Sequence, residues 1–169
     1  IMVISIASAI FFEFLYQKLM KKPVTITDLS AAVTGLLLAM NMPSGAPYWM
    51  PIVGSAFAII IAKQLFGGLG QNFINPALAA RAFLLASYPT AMTTWPAASH
   101  AVVDTASSAS QAVEAVTVAT PLALLKAGSI TTVTSSDMIN AFVGTVGGCI
   151  GETSAIALII GGIYLIVRH

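Results

Sequence analysis

The chain has 169 residues, of which 57% are hydrophobic and 8% are Asp, Glu, Lys or Arg, whereas soluble domains carry roughly 25% charged residues. This composition excludes a soluble globular fold, and a net charge of +1 provides neither the basic surface that binds nucleic acid nor an acidic tail. The one cysteine, Cys149, excludes an intramolecular disulfide and lacks the paired spacing of a zinc or iron–sulfur site. We therefore predict an all-α integral membrane protein, in which redox chemistry would need an organic cofactor.

The two ends of the sequence indicate a piece of a longer chain. It begins with Ile1 instead of an initiator Met, and it stops at Arg168 and His169, just past an apolar run. We expect residues 1–169 to form a single transmembrane domain that is a fragment of a larger, multi-pass protein.

The first apolar segment, residues 1–17, predicts a membrane helix. It leads into Lys18, Lys21 and Lys22, and the positive-inside tendency places this basic flank in the cytoplasm. Asp28 is the predicted N-cap of the helix that follows.

The second predicted helix ends at about Met42 and spans roughly 22 Å, which is short of the roughly 30 Å hydrocarbon core. A half-helix or re-entrant segment is therefore predicted there. Residues 48–66 and 76–95 are predicted to be longer spans, with aromatic residues at their ends. Counting crossings from the basic flank places the 67–75 loop inside and the Ser/Thr-rich 97–136 segment outside.

The last apolar region, residues 137–167, is interrupted by four glycines. We predict a short half-helix, a glycine break that holds Glu152, and a final span. Residues 28–35 and 137–144 share Asp, Ala and Gly at the same offsets. This similarity indicates either a transporter-like repeat of broken helices or chance identity.

A glycine-rich loop at 67–76 carries the first candidate site. Its amides, Asn72 and Asn75, offer the donors and acceptors that the edge of a planar heterocycle requires. The competing interpretation is a helix-capping loop with Asn75 as N-cap before Pro76.

A second candidate site is the predicted short helix that begins after Thr120. Thr120 suits an N-cap, Pro121 a first helical position and Gly128 a helix stop. The N-terminus of such a helix attracts a phosphate group. A capped helix without any ligand explains the same pattern.

Two ionisable residues, Arg81 and Glu152, fall within apolar runs. An ion inside the membrane is costly and normally pairs with another or lines a polar cavity. Either a functional site or a structural Arg–Glu pair between helices would account for them.

Three blocks in order, at 67–95 with its Asn-Pro-Ala and Arg-Ala-Phe, at 119–122 and at 151–154, resemble one family of membrane proteins. That family contains the D subunit of the Rnf-type ferredoxin:NAD oxidoreductase and the B subunit of the sodium-pumping NADH:quinone oxidoreductase. The Thr-Pro-Leu at 120–122 resembles the Rnf side more closely. The resemblance implies a fold like that of urea and ammonium transporters.

The resemblance further implies that FMN is attached through its phosphate to a threonine, which falls on Thr120. Thr117 and Ala119 match the family motif, whereas Val118 replaces a glycine and Glu114 replaces an Asp. A flavin transferase recognises this motif. The substitutions at Val118 and Glu114 therefore change the sequence that the transferase must recognise before it attaches FMN. The residues implied to bind the FMN are Glu114, Thr117, Ala119, Thr120, Pro121 and Leu122.

A second, non-covalent flavin, riboflavin in the quinone reductase, is also implied near the Asn-Pro-Ala loop. Asn72 and Asn75 match that position, and Arg81 lies close by in the sequence. The resemblance thus implies an electron-carrying subunit of a redox-driven Na⁺ or H⁺ translocase in the prokaryotic plasma membrane. Its partners would be other membrane and peripheral subunits, including another subunit with covalent FMN. A flavin-free solute permease or a structural membrane scaffold is the alternative.

Overall fold

The computed structural model describes residues 1–95, 125–126 and 135–168. The described residues are helical apart from loops and one isolated antiparallel bridge, between Pro43 and Cys149. The all-α prediction is therefore confirmed for this part of the chain. The predicted FMN motif, residues 114–122, lies outside the described residues.

The chain divides into two compact units, which are described separately. The first comprises Ile1–Met42 and Ala46–Thr93, and the second comprises Pro43–Gly45 and Thr94–His169.

The first unit contains five α-helices, a 3-10 turn and a π-helix. In chain order these are α1 (Met2–Leu19), the 3-10 turn (Ile26–Asp28), α2 (Ser30–Met40), α3 (Trp49–Ala56), the π-helix (Phe57–Gln64), α4 (Pro76–Ser87) and α5 (Pro89–Thr93).

Among the described helices, α1 is the one that is long and apolar enough to cross a membrane by itself. Its 18 residues rise by about 27 Å. Four further apolar helices are shorter, between 10 and 17 residues: Ser30–Met40, Trp49–Gln64, Pro76–Ser87 and Ala155–Arg168. The predicted short second helix is thereby confirmed, and the predicted 48–66 span corresponds to the run Trp49–Gln64.

The predicted N-cap of α2 is wrong by one residue. Leu29 is the N-cap and has a left-handed backbone with φ +57°, while Asp28 ends the preceding 3-10 turn. The Asp28 carboxylate nevertheless accepts hydrogen bonds from the backbone N–H and the hydroxyl of Ser30, at 2.8 and 2.6 Å. The Asp28 side chain thus satisfies a free N–H group of the first turn of α2, although Asp28 lies one residue before the N-cap.

The predicted helix over 76–95 is interrupted at Tyr88. Helix α4 ends at Ser87, and α5 begins at Pro89. Proline disfavours the helical conformation of the residue before it, and Tyr88 has φ −135° and ψ 60°. The interruption follows from the Tyr88-Pro89 pair.

An apolar core joins α2, α3 and α4. Leu38, Met50 and Leu84 are fully buried in it. The rings of Phe57 and Phe83 stack beside it, with 4.3 Å between centroids. In a lipid environment such contacts contribute through close packing more than through exclusion of water.

Small residues bring α1, α2 and α3 close together. The Ser5 hydroxyl of α1 donates to the carbonyl of Gly35 in α2, at 2.7 Å. The Ser55 hydroxyl of α3 donates to the carbonyl of Ser5, at 3.1 Å. A Cβ at Gly35 would lie 2.7 Å from the oxygen of Ser5 and 2.9 Å from the Cα of Ile6. Glycine is therefore required where α2 crosses α1.

The second unit contains two described helices, α6 (Ser135–Val143) and α7 (Ala155–Arg168). Gly144 ends α6 with φ +101°, and the loop that follows holds Glu152. The predicted half-helix and glycine break are confirmed, whereas the final segment, predicted as a span, is a helix of 14 residues and belongs with the shorter apolar helices. Gly144 ends a helix whereas Gly35 lies within one, so the two glycines of the proposed repeat have different roles.

Replacing Gly35 with Ala is expected to lower the free energy of unfolding by about 1–3 kcal/mol, since the added Cβ forces α1 and α2 apart. Thermal unfolding of the full-length protein in detergent would measure this. Gly161→Ala is the matched control, because its Cβ meets no described atom within 4 Å. Equal losses in both variants would show that the helix crossing does not depend on Gly35.

Candidate functional site

A buried ion pair lies between α1 and the π-helix. The Lys63 ammonium is 2.7 Å from Glu13 Oε1, and the side chains are 2% and 1% exposed. The Gln64 amide donates to the same oxygen at 2.7 Å. Because the surroundings exclude solvent, each charge depends on the other for compensation.

The ion pair continues into a chain of hydrogen bonds that ends at an exposed carboxylate. Lys63 Nζ also donates to the Ser30 hydroxyl at 2.6 Å, and that hydroxyl donates to Asp28 Oδ1 at 2.6 Å. Asp28 itself is exposed. The connected groups thus run from the interior of the helix cluster to its surface.

The pKa of Asp28 is held below its usual value. The main cause is the hydrogen bond from the Ser30 hydroxyl. The Ser30 backbone N–H and the charge of Lys63 act in the same direction, and partial burial opposes them. The carboxylate form of Asp28 is therefore the favoured end of the chain.

The π-helix positions both partners of Glu13. Its wider turns follow from hydrogen bonds between residues five apart, such as that from the Leu65 N–H to the Ile60 carbonyl, at 3.1 Å. Adjacent residues Lys63 and Gln64 both reach the Glu13 carboxylate. π-helical turns occur frequently at functional sites.

A polar pocket of about 270 Å³ adjoins the ion pair. The α1–α2 connection and the beginning of the glycine loop complete its wall. Its lining residues are Glu13, Gln17, Lys22, Pro23, Thr25, Asp28, Lys63, Gln64, Gly67, Gly68 and Leu69.

The second oxygen of the Glu13 carboxylate, Oε2, is buried and has no hydrogen-bond partner among the described residues. A buried polar atom normally has a partner. This atom therefore marks a position that a proton, water or ligand would satisfy.

The two asparagines predicted in the 67–75 loop have different roles in the structure. Asn75 is the N-cap of α4, and its Oδ1 accepts from the N–H groups of Ala77 and Leu78, at 3.0 and 3.4 Å. The capping interpretation is confirmed for Asn75. Asn72 Oδ1 is buried without a partner among the described residues, so this acceptor is available to a donor group.

Arg81 lies in α4 and donates from Nη1 to Asn41 Oδ1 at 2.9 Å. This bond joins α4 to the end of α2. Glu152 belongs to the second unit, where its backbone N–H donates to the carbonyl of Cys149 at 3.2 Å. The structural pairing of Arg81 with Glu152 stays a prediction.

Sequence reasoning missed Glu13 and Lys63 as candidates. A carboxylate within the first apolar segment, and a lysine within the third, were the available signals. In the parts of the chain that the structure describes, no group of three or more His, Cys, Asp or Glu residues could hold a metal ion.

Comparison with known proteins gives a match along the whole chain. The model described as the NQR2, RnfD, RnfE family matches residues 1–169. The D-type component of the Na⁺-translocating ferredoxin:NAD⁺ oxidoreductase complex of Acetobacterium woodii is 55% identical over 98% of this chain and 48% of its own length.

Two further relatives belong to the two kinds of complex, one to a ferredoxin:NAD⁺ oxidoreductase and one to an NADH-quinone reductase. The D-type component of the proton-translocating ferredoxin:NAD⁺ oxidoreductase complex of Clostridium ljungdahlii is 44% identical over 99% of this chain and 50% of its own length. The B-type component of the Na⁺-translocating NADH-quinone reductase of Stutzerimonas stutzeri is 42% identical over 92% of this chain and 36% of its own length. The chain thus spans half or less of the length of each of these relatives.

Glu13→Gln and Lys63→Met are each expected to lower the free energy of unfolding by about 3–5 kcal/mol, because each leaves one buried charge uncompensated. The double variant is expected to lose much less than the sum, since it removes both charges. Equilibrium unfolding of the full-length protein in detergent would measure all three. Additive losses would contradict a direct interaction.

Proposed function

The chain belongs to the NQR2, RnfD, RnfE family, and we propose that it forms part of an electron-carrying membrane subunit of an ion-translocating ferredoxin:NAD oxidoreductase complex. The observation that carries this proposal is the 55% identity to the Acetobacterium woodii component across 98% of the chain. The identities to the two ferredoxin:NAD⁺ oxidoreductase components exceed that to the quinone reductase component. This order favours the Rnf side, with other membrane and peripheral subunits as partners.

The helical part of the chain supports a role inside a membrane complex. An 18-residue apolar helix carries a buried carboxylate that pairs with a lysine of a second helix. Ionisable groups at such positions are costly in lipid and generally serve a function. The proposal includes a fold like that of urea and ammonium transporters, in the prokaryotic plasma membrane.

The proposed FMN attachment site is Thr120, on the extracytoplasmic side. Its support is the Thr-x-Ala-Thr sequence at 117–120 together with the helix-starting Thr-Pro pair. FMN would supply one- and two-electron chemistry, while the chain would supply position and electrostatics. A flavin transferase would form the phosphoester with the threonine hydroxyl.

The proposed second, non-covalent flavin would lie at the 67–75 loop. The free acceptor of Asn72 suits the imide N–H at the edge of a flavin ring. The exposed rings of Phe66 and Phe73, in edge contact with 4.8 Å between centroids, provide aromatic surface beside it. Asn75 is already engaged as a helix cap, and so Asn72 is the better candidate.

A solute permease or a scaffold without flavin is the competing function. The polar pocket of about 270 Å³ suits a small polar solute as well as it suits an ion. The presence of covalent flavin would separate these functions from the proposed one.

Thr120→Ala is expected to abolish covalent flavin, because the phosphoester needs the hydroxyl. The full-length protein, produced with its transferase, should fluoresce on a denaturing gel, and its mass should exceed the sequence mass by one FMN moiety. The variant should lose both signals.

Thr132→Ala, another threonine of the same 97–136 segment, is the matched control and should keep both signals. Absence of covalent flavin from the unsubstituted protein would favour the permease or the scaffold. Retention of covalent flavin in Thr120→Ala would show that the FMN is attached to another residue.

Asn72→Leu is expected to release the non-covalent flavin while leaving the covalent one, since it removes the free acceptor from the loop. Flavin extracted by acid precipitation measures the first, and gel fluorescence measures the second. Gln71→Leu, which changes the neighbouring exposed amide, should release neither. Unchanged flavin content in Asn72→Leu would assign this loop a capping role alone.

A further inference from the structure

We propose that the exposed face of α1 binds an anionic phospholipid, with the headgroup phosphate at Lys18 and an acyl chain along the apolar side chains that precede it. This proposal requires that α1 spans a membrane, and it does not depend on flavin.

The first observation is that α1 has two faces of different character. Its buried residues recur at helical spacing: Ser5, Ser8, Ala9, Glu13 and Gln17. The residues of the opposite face are exposed, and all but the last are apolar: Val3, Ala7, Phe11, Phe14, Leu15 and Lys18. Residues three and four positions apart are neighbours on a helix surface. The exposed face is therefore one continuous apolar stripe that ends in an ammonium group.

The dimensions of this stripe suit a lipid chain. Between Phe11 and Lys18 the helix rises by about 10 Å, whereas one leaflet contributes about half of a hydrocarbon core of roughly 30 Å. Among the described helices, α1 is also the one that is long and apolar enough to cross a membrane by itself. Its exposed side chains thus lie where an acyl chain of one leaflet would contact them.

The second observation is the position of the Lys18 ammonium. It lies 5.5 Å from the centroid of the Phe14 ring, one turn earlier on the same face, and a ring at this distance attracts a cation. No carboxylate among the described residues pairs with Lys18. The ring contact places the ammonium at the end of the stripe and leaves its N–H groups available to phosphate oxygens.

The charge favours an anionic lipid as the occupant. Lys21, exposed in the turn that follows, adds positive charge beside Lys18. This flank is predicted to be cytoplasmic, and anionic lipids of that leaflet attract basic residues next to a membrane helix. A phospholipid supplies both required groups in one molecule, a phosphate at the headgroup level and an apolar chain beneath it. A partner helix would need a carboxylate at that level.

Lys22 provides an internal control, because it has the same charge and is four residues away. Its ammonium lies over the ring of Tyr16, 5.2 Å from the centroid, and the residue lines the polar pocket. Tyr16 is two positions from Phe14, and residues two apart do not share a helix face. Lys22 should therefore add general positive charge without contacting a lipid on the stripe.

The test measures quenching of one tryptophan by dibrominated lipids in vesicles. Phe11→Trp places the reporter on the stripe of the full-length protein, in which the other tryptophans, including Trp49 and Trp95, are replaced by Phe. Phosphatidylcholine vesicles contain equal fractions of either dibrominated phosphatidylglycerol or dibrominated phosphatidylcholine. We expect phosphatidylglycerol to associate about fivefold more strongly, from the attraction of one basic residue to anionic lipid.

Three variants and a second reporter identify the source of this preference. Lys18→Gln should remove it, Lys18→Arg should keep it because the charge remains, and Lys22→Gln should keep it as well. Val3→Trp, in place of Phe11→Trp, puts the reporter on the same face about 22 Å from Lys18. The two dibrominated lipids should quench it equally.

Equal quenching of the Phe11→Trp reporter by the two lipids would overturn the proposal. Equal losses of preference in Lys18→Gln and Lys22→Gln would also overturn it, since they would show general attraction by the basic flank. Absence of quenching by either lipid would show that protein covers this face of α1, and the lipid would be rejected in favour of a partner helix.

Discussion

The buried pair of Glu13 and Lys63 is the interaction on which the arrangement of the first unit depends. Neither side chain is more than 2% exposed. The free energy needed to remove an ion from water is larger than the stabilisation from the helix contacts around it. The two side chains must therefore stay together. Their contact joins α1 to the π-helix, and the bond from Lys63 to Ser30 extends it to α2.

Small residues make that contact possible. Ser5, Gly35 and Ser55 occupy the crossing of α1, α2 and α3, where a Cβ on Gly35 would meet the backbone of α1. A larger residue would separate the helices. Because polar side chains bond across such a crossing only over short distances, helix separation and the polar cluster are coupled.

The proposed electron carriers and the buried polar cluster occupy different parts of the chain. The proposed flavin sites are on the 97–136 segment and the 67–75 loop, whereas the polar cluster of Glu13, Lys63 and Ser30 lies in the helices. The glycine loop is shared by both, since Gly67 and Gly68 line the polar pocket and Asn72 follows them.

The sequence alone determined the membrane class, the positions of most helices and the family, because these depend on composition, apolar run length and local motifs. It also predicted the Asn75 cap, since a cap is made by residues two and three positions apart. The shift of the α2 cap to Leu29 depends on backbone geometry that the apolar pattern does not encode, whereas the interruption at Tyr88 follows from the proline that comes after it.

Only the tertiary structure decided the polar cluster. Glu13 and Lys63 are 50 residues apart, and each by itself is an isolated charge in or beside an apolar run. Ser30 and Asp28 resemble ordinary helix-start residues until the fold places the Lys63 ammonium against the Ser30 hydroxyl. Local patterns therefore determined which helices form. The burial cost of two charges, which exists only after the helices pack, determined which residues meet.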